Sequence, residues 1–435
     1  MNNIGAIRVA YICHFSNPKV HSVLPLKLSW KDRILMRLRK KTISTSVDDF
    51  AIWNSNAIDE LKKLGNDVEL HVIAPYPFLA DPVYEFKDEG VTYHFYRNDH
   101  ILVEFLQRHV LTFIKLNYRR ERNRIRAFIE CIQPDLVHLV GAENPYYSLS
   151  AFDIPNSIPL IVQLQTLLND PSFEHNYMMG HAYFEYRRKI ELSILRRADF
   201  IGTAVSYFKE IIRKRLDSPL FLKVVLALAE PVDVTVGEKK FDFVYYAADI
   251  RKAADFAVEA FILASETNPG ITLDIVGGYS LDYRRQLEAR LAEYNLLDKV
   301  TFEGKLPSHD DVLKQIRFSQ FALLPLKVDL VSGTIRESMA NGIPVITTVT
   351  PATPSLNSKR ECVLLSEKGD HAAMAANMCR LLNEDGLADK LRTNSGLYMK
   401  ELVSNATYIR TYVDCYRAIL ANKLEGSAIP ENLIS

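Results

Sequence analysis

Short apolar segments alternate with amphipathic segments along this chain, and the alternation occurs twice. The predicted strands of the first half are rich in β-branched residues and mostly apolar, as expected for strands covered on both faces. They are residues 7–13, 68–73, 136–140, 160–164 and 200–203. The second half repeats the pattern at residues 241–246, 273–276, 300–302, 321–324, 344–347 and 363–365. Two such series predict an α/β chain with two doubly wound domains, each built on a largely parallel sheet.

Helical segments lie between these strands and define the predicted domains. They are residues 49–64, 183–197, 255–265, 283–294, 310–317, 333–341 and 408–423. A length of 435 residues accommodates two domains. We predict an N-terminal domain over 1–222, a linker over 223–240 that contains Pro231, and a C-terminal domain over 241–405. The last segment, 406–435, is predicted to cross back to the first domain as a helix.

Composition excludes several classes of protein. The 53 Lys and Arg residues balance the 53 Asp and Glu residues, which argues against nucleic acid as the main partner. The five cysteines are scattered without a Cys-x-x-Cys pair, which indicates a reducing compartment and no zinc ribbon. His175 and His181 are spaced too far apart for one helix face, so we expect no metal site. The absence of a signal-peptide pattern and of a long apolar run favours a cytoplasmic location.

The segment 325–345 carries the most chemical information. Ser332, Gly333 and Thr334 form a turn of small residues at the start of a predicted helix, where free backbone N–H groups and the helix dipole favour a phosphate. Glu337 lies one helical turn further along and faces the same side. A carboxylate there can accept hydrogen bonds from vicinal hydroxyls of a sugar. Asp329, in the preceding loop, can hold the hydroxyls of a second sugar.

Asp329 and Glu337, followed by Ser-Met-Ala-Asn-Gly-Ile-Pro-Val, resemble the Glu-x7-Glu signature of GT-B-fold, retaining nucleotide-sugar glycosyltransferases of the family 4 type. Residues 275–278 and 300–304 follow the order of that family, and residues 134–138 resemble its first-domain strand. The resemblance implies two Rossmann-like domains facing each other across a cleft. It also implies that Glu337 binds the nucleotide ribose, that Asp329 holds the transferred sugar, and that residues 332–334 contact the sugar and diphosphate. Gly277 and Gly278 would complete the donor site.

The chain departs from the family at the diphosphate. The family carries a Gly-Arg pair after the first strand of the second domain, whereas this chain has Ala247 and Ala248. Lys252 matches the lysine of the family, and we predict that Arg251 and Lys252 together neutralise the leaving diphosphate without a metal or other cofactor.

Four residues at predicted strand ends of the first half are candidates for the acceptor side. Glu143 and Asn144 follow one strand, and either recognise acceptor hydroxyls or serve the turn before Pro145. His14 follows the first strand and either lines the site or is an ordinary histidine at a strand end. Gln165 occupies the position where many relatives of the family place a histidine. It can orient a hydroxyl but cannot accept its proton.

Two basic stretches raise the question of a membrane surface. One begins at Lys19 and ends at Lys41, and the other begins at Arg108 and ends at Arg126. Basic segments interleaved with Trp and Leu suit an anionic membrane at its inner face, whereas most charge runs are solvated helix faces. Both interpretations are open at this stage.

Together these features predict a hexosyl transferase that moves a sugar from a nucleotide diphosphate-sugar to a glycan or lipid-linked acceptor with retention, in the synthesis of cell-surface polysaccharide. The alanines at the Gly-Arg positions and the missing acceptor-side histidine motivate an alternative, a catalytically silent GT-B partner or scaffold protein. A nucleotide-sugar epimerase is a weaker alternative, because no dedicated acid–base carboxylates and histidines can be assigned in both domains.

Overall fold

The computed structural model describes residues 5–27, 51–98, 117–171, 181–227, 238–247, 253–327, 332–402 and 404–435. The chain divides into two compact units. Unit 1 comprises Met1–Ala227 and Asn405–Ser435, and unit 2 comprises Leu228–Ser404. Every strand predicted from the sequence is present, and both units are doubly wound around a sheet, as predicted.

Unit 1 contains an eight-stranded sheet. Its strands are β1 (Ile7–Ile12), β2 (Val68–Pro75), β3 (Val83–Asp88), β4 (Val91–Tyr96), β5 (Leu136–Val140), β6 (Leu160–Gln163), β7 (Phe200–Gly202) and β8 (Phe221–Leu222). They are arranged in the order β3-β4-β2-β1-β5-β6-β7-β8. Neighbouring strands are parallel except for β3 and β4. The carboxyl ends of β1, β5 and β6 therefore lie side by side at one edge.

The antiparallel pair β3 and β4 was not predicted. Its two-residue turn, Glu89 and Gly90, has positive φ at both positions (46° and 85°), which suits the twist of a hairpin. Much of β3 is exposed at the edge of the sheet, so it lacks the apolar run that identifies the central strands. A strand of this kind gives little signal in the sequence.

The helices of unit 1 before the second unit connect these strands. They are α1 (Pro18–His21), α2 (Ile52–Lys62), α3 (Arg119–Ile132), α4 (Pro145–Ser148), α5 (His181–Arg197) and α6 (Ser206–Arg213). The short α1 begins at Asn17, whose side chain accepts hydrogen bonds from the backbone N–H groups of Lys19 and Val20. Such a cap satisfies groups that have no partner inside the helix.

Unit 2 contains a six-stranded sheet in which all neighbouring strands are parallel. Its strands are β9 (Phe241–Tyr246), β10 (Leu273–Val276), β11 (Val300–Gly304), β12 (Ser319–Leu324), β13 (Val345–Thr348) and β14 (Val363–Ser366), in the order β11-β10-β9-β12-β13-β14. One hydrophobic cluster covers each face of the sheet, with Phe243 on one side and Val244 on the other. This double coverage explains why most residues of the central strands are apolar.

The helices of unit 2 flank the sheet. They are α7 (Ala254–Thr267), α8 (Leu281–Ala292), α9 (His309–Ile316), α10 (Gly333–Ala340), α11 (His371–Asn383) and α12 (Leu387–Glu401). Helix α10 has Asn341 as its C-cap, and the following Gly342 has a φ of 66°, the left-handed conformation that commonly ends a helix. Helices α11 and α12 were not predicted. Short 3₁₀ segments occur at Leu149–Phe152, Leu297–Lys299, Thr353–Asn357 and Glu431–Leu433.

The last helix, α13 (Asn405–Glu425), belongs to unit 1. Tyr412 accepts a hydrogen bond from Gln163 Nε2 at 2.8 Å, and the Tyr416 hydroxyl lies 2.6 Å from His138 Nδ1. Both tyrosines are fully buried in the same cluster as β1. The contacts join the end of the chain to the middle of the first sheet. Among the described helices, none combines the length and the apolar character needed to cross a membrane.

Candidate functional site

The start of α10 is the first candidate site, in unit 2. Ser332 occupies the N-cap position with extended backbone angles (φ −65°, ψ 143°), but its side chain does not cap the helix. Instead, Ser332 Oγ lies 2.7 Å from Thr334 Oγ1. An N-terminus whose backbone N–H groups are not taken by the N-cap side chain has the character of an anion site.

Glu337 turns its carboxylate back toward the start of α10. Its Oε1 lies 3.8 Å from the position that a Cβ would take at Gly333. The same oxygen lies 3.4 Å from His309 Nε2, at the beginning of α9. Glu337 is only 8% exposed. The structure therefore places Ser332, Gly333, Thr334 and Glu337 together, as the helical spacing predicted.

Tyr246, at the end of β9, fixes this part of α10 to the sheet. Its hydroxyl donates to the Thr334 carbonyl oxygen at 2.5 Å and lies 2.9 Å from Ser338 Oγ. Burial, reinforced by the charge of Glu337, raises the pKa of Tyr246 well above its usual value. The phenol is thus a neutral hydrogen-bonding anchor at neutral pH.

Gly277 and Gly278 lie at the end of β10. The Gly277 N–H donates to the Gly304 carbonyl at 2.9 Å, and a Cβ at Gly278 would lie 3.1 Å from Lys305 Cβ. Both glycines therefore pack against the end of β11. They lie at the carboxyl ends of the strands, where α10 also begins. Asp329, Arg251 and Lys252 lie outside the described residues.

An ion pair near the same edge was not predicted. Lys327, just after β12, donates from Nζ to Asp255 Oδ2 at 2.6 Å, and Asp255 lies in the first turn of α7. The Tyr283 hydroxyl donates to the other carboxylate oxygen at 3.2 Å. The partners come from distant parts of the sequence, so no local spacing could identify them.

The second candidate site surrounds Gly141, after β5 of unit 1, and we call it the Gly141 cluster. It comprises Gly141, Glu143, Asn144, Gln165, Tyr147 and Arg187. Gly141 has a φ of +87°. A Cβ there would lie 2.6 Å from Gln165 Nε2, 2.7 Å from Glu143 Oε2 and 2.7 Å from the Tyr147 hydroxyl. Only glycine fits, because three polar side chains converge on it.

The members of the cluster are bonded to one another. Asn144 Nδ2 donates to Glu143 Oε1 at 2.9 Å, and Arg187 donates to the Glu143 carbonyl at 2.6 Å and to Asn144 Oδ1 at 3.0 Å. Gln165 Nε2 donates to the Val140 carbonyl at 2.8 Å. The structure thus brings Glu143, Asn144 and Gln165 together, as expected of residues that follow neighbouring parallel strands.

Glu143 supplies the carboxyl group of the cluster, and its pKa is shifted. Burial raises its pKa to about 7, against the opposing effect of backbone hydrogen bonds and of the Arg187 charge. A carboxyl of this kind changes its protonation state near neutral pH.

His14 lies beside the cluster, at the end of β1. Its Nδ1 is 3.2 Å from the Tyr146 hydroxyl, and its carbonyl accepts a hydrogen bond from Asn54 Nδ2 at 2.8 Å. Tyr146 belongs to α4, directly after Asn144. Sequence reasoning missed Tyr146, Tyr147 and Arg187, although two adjacent tyrosines after Pro145 were a usable signal. Among the described residues, no group of three or more His, Cys, Asp or Glu side chains could hold a metal ion.

The two basic stretches are only partly described. Residues 28–41 and 108–116 lie outside the described residues. In α3, Arg122 donates to Asp153 at 2.6 Å, and Arg126 lies 3.8 Å from Glu130. Near α1, Val23 and Leu26 are about half exposed (54% and 50%). The described arginines of the second stretch thus include some that are paired within the protein.

Comparison with known sequences identifies part of the chain. Residues 241–384 match the sequence model of the glycosyl transferases group 1 family. A segment of 112 residues is 26% identical to a 2-deoxystreptamine N-acetyl-D-glucosaminyltransferase from Niallia circulans. That segment covers 26% of this chain and 28% of the enzyme, so the likeness spans little more than a quarter of either protein.

Comparison with solved structures extends over nearly the whole chain. A sucrose-phosphate synthase from Thermosynechococcus elongatus is similar with a TM-score of 0.66 and 17% identity, over 95% of this chain and 99% of that one. HepE from Anabaena, solved with UDP and glucose, is similar with a TM-score of 0.62 and 11% identity, over 95% of this chain and 100% of that one. The predicted fold class is confirmed. The chain has the GT-B fold, and its residues 241–384 match the sequence model of the glycosyl transferases group 1 family.

Proposed function

We propose that this protein transfers a hexosyl group from a nucleotide diphosphate-sugar to a hydroxyl of a glycan or lipid-linked acceptor, with retention and without a metal. The observation that carries the proposal is the Glu337 carboxylate, which folds back toward Gly333 at the start of α10 inside the domain that matches the family. A buried carboxylate beside a helix N-terminus suits a ligand that presents vicinal hydroxyls next to a diphosphate.

Each donor-side residue has a role in this proposal. Glu337 accepts hydrogen bonds from the ribose hydroxyls, and the backbone N–H groups of residues 332–334 face the diphosphate. Asp329 holds the transferred sugar, and Gly277 and Gly278 leave room for the donor. Arg251 and Lys252 stabilise the negative charge that develops on the leaving group.

Unit 1 supplies the acceptor side. The polar side chains of the Gly141 cluster, with His14 beside them, orient the acceptor hydroxyl. Gln165 cannot accept a proton, and in this proposal the departing phosphate oxygen takes the proton of that hydroxyl. The acceptor oxygen forms the new bond to C1 as the bond from C1 to the diphosphate oxygen breaks, and the electron pair of that bond leaves with the nucleoside diphosphate.

The comparisons suggest a donor to test first. HepE was solved with UDP and glucose, and the Niallia circulans relative is named for N-acetyl-D-glucosaminyl transfer. We therefore propose a UDP-hexose or UDP-N-acetylhexosamine donor and an acceptor in cell-surface polysaccharide synthesis. An acceptor of that kind, when lipid-linked, would bring the protein to the inner face of the membrane.

A catalytically silent partner protein is the second candidate. It is favoured by Ala247 and Ala248, which stand where the family places its Gly-Arg pair. A silent protein of this fold would bind a nucleotide without turning it over, so binding and turnover must be measured separately.

A thermal-shift panel with UDP, GDP, ADP and CMP, followed by the matching sugar nucleotides, tests the proposal. A ligand that binds only the folded protein raises its melting temperature by mass action. We expect a selective shift with one nucleoside diphosphate and release of that diphosphate when an acceptor is added. No shift with any member of the panel would contradict the proposal.

A further inference from the structure

Helices α9 and α10 of unit 2 are joined at two points. At the beginning of α9, His309 Nε2 lies 3.4 Å from Glu337 Oε1. Just after the end of α9, Arg317 Nε donates to Asn341 Oδ1 at 2.8 Å, at the end of α10. The helix that carries His309 is therefore held in register with the helix that carries Glu337.

Further contacts fix the position of α9. At its start, Ser308 Oγ accepts from the Asp311 N–H at 3.1 Å and donates to Asp311 Oδ2 at 2.7 Å. At its end, Gln315 Nε2 donates to Asp274 Oδ2 at 2.8 Å, and Ile316 is fully buried. The start of α9 is capped and its end is bonded to β10, so His309 lies on a helix that is fixed to the sheet.

The Glu337 carboxylate has little access to solvent, so a polar neighbour can orient it. Its side chain is 10% exposed, whereas that of His309 is 33% exposed, so solvent reaches the imidazole more readily than the carboxylate. The terminal torsion of a glutamate is broad, and a carboxylate that must meet two vicinal hydroxyls gains from a polar group that selects one orientation.

We propose that His309 is a positioning residue for the donor site: it orients the Glu337 carboxylate toward the ribose hydroxyls of a nucleoside diphosphate. The proposal rests on the proposed function, in which Glu337 binds the ribose. His309 acts through Glu337, so its effect depends on the ribose hydroxyls of the ligand.

The test compares UDP with 2′-deoxy-UDP by titration calorimetry in four variants: wild type, Glu337→Ala, His309→Ala and His309→Gln. GDP or ADP and their 2′-deoxy forms replace this pair if the thermal-shift panel selects them. The wild type should bind the ribose form about tenfold or more tightly than the deoxy form, because a hydrogen bond to a charged group is at stake. The ratio should fall to about one in Glu337→Ala.

His309→Ala should lower the same ratio at least threefold, and His309→Gln should restore most of it, because the glutamine amide N–H can approach where Nε2 lies. In a transfer assay, His309→Ala should raise the donor KM while kcat changes little. Lys314→Ala, an exposed position of α9 (71% exposed side chain), serves as the control and should leave the ratio unchanged.

The outcomes separate the two proposals. A ratio that falls in Glu337→Ala but stays at the wild-type value in His309→Ala overturns the role of His309 alone. Equal weakening of both ligands in His309→Ala indicates a general structural effect and also overturns it. A ratio that is unchanged in Glu337→Ala, or no binding of any nucleoside diphosphate, overturns the proposed function.

Discussion

In each unit the candidate residues lie at the carboxyl ends of the strands of that unit's own sheet, but the two groups are held in different ways. In the Gly141 cluster, side chains are hydrogen-bonded to one another around a glycine that admits no Cβ. At Glu337, the start of a helix and a neighbouring histidine define the site, and the hydroxyls of Ser332 and Thr334 lie within hydrogen-bonding distance of each other. A buried polar network is costly to disturb, whereas backbone N–H groups at a helix start favour an anionic ligand. Changes in the Gly141 cluster should therefore appear mainly in stability, and changes at Glu337 mainly in ligand binding.

The largest stability effect is expected at Gly141. Gly141→Ala introduces a Cβ within 2.7 Å of three polar atoms at a φ of +87°, so unit 1 should lose about 2–4 kcal/mol. Gly90→Ala is the matched control, because Gly90 has a φ of +85° and nothing within 4 Å of its Cβ position, and should cost about 1–2 kcal/mol. Urea unfolding, followed by hydrogen exchange of the amides of unit 1, measures the stability loss in both variants. Equal losses would show that the polar convergence contributes nothing.

The corresponding effect in unit 2 is on turnover. Replacing both Arg251 and Lys252 with Ala should lower kcat roughly 100-fold with the fold intact. The reason is that cations placed beside the leaving diphosphate stabilise the negative charge that develops on it in the transition state. Arg285→Ala, an exposed cation of the same unit (72% exposed side chain), should change kcat less than about twofold. A double variant with wild-type kcat would refute this role, and a wild type that binds donor without turnover would favour the silent partner.

Among the described residues, both units contain buried carboxyls with a raised pKa, Glu143 and Glu191 in unit 1 and Asp274 in unit 2. Burial raises the pKa of Asp274 to about 7. The folded state then binds this proton more tightly than the unfolded state, so stability falls as the pH rises from about 4 to about 7. Asp274→Asn should be more stable than wild type by about 1–3 kcal/mol at pH 8 and nearly equal to it at pH 4. If the wild type were more stable than Asp274→Asn at pH 8, this expectation would be contradicted.

Glu143 is the counterpart in unit 1, with a pKa raised to about 7 by burial. The sign is the same, so its contribution to stability is lost between about pH 4.5 and pH 7. Glu143→Gln should raise the stability of unit 1 by about 1–2 kcal/mol at pH 8, a smaller gain than at Asp274 because Glu143 is bonded within its cluster. Thermal unfolding at pH 5 and pH 8 measures the difference. A gain at pH 5 as large as the gain at pH 8 would show that the effect is not one of protonation.

The smallest effect is expected on removal of metal ions. Because charge stabilisation is assigned to Arg251, Lys252 and the start of α10, excess EDTA should change turnover less than about twofold. Loss of turnover that Mg²⁺ or Mn²⁺ restores would refute the metal-free mechanism.

The sequence predicts the central strands well because each is buried on both faces and is therefore mostly apolar, with exceptions such as Asp274 in β10. It misses β3 because much of this edge strand is exposed, and it misses β4 although that strand is largely buried. Both strands depend on the turn at Glu89 and Gly90. The approach of Glu337 to Gly333 is predictable, because it follows from helical spacing within one segment. This local geometry is the part of the site that a single sequence can supply.

The contacts that cross the fold are not predictable in this way. His309 reaches Glu337 from another helix, and Arg187 reaches Asn144 from a helix that begins after a different strand. Sequence spacing carries no information about such pairs, because the sheet order brings them together. Gln165 was predicted on the acceptor side, but its hydrogen bond to Val140 follows only from the neighbouring position of β5 and β6.

The central claim is that Glu337 binds the ribose of a nucleoside diphosphate, and titration calorimetry of Glu337→Ala tests it most directly. The change should weaken binding of the nucleoside diphosphate selected by the thermal-shift panel by about 2–4 kcal/mol, because a buried carboxylate that pairs two hydroxyls is lost. Glu266→Ala, an exposed glutamate near the end of α7, should bind as the wild type does. Unchanged affinity in Glu337→Ala would contradict the claim.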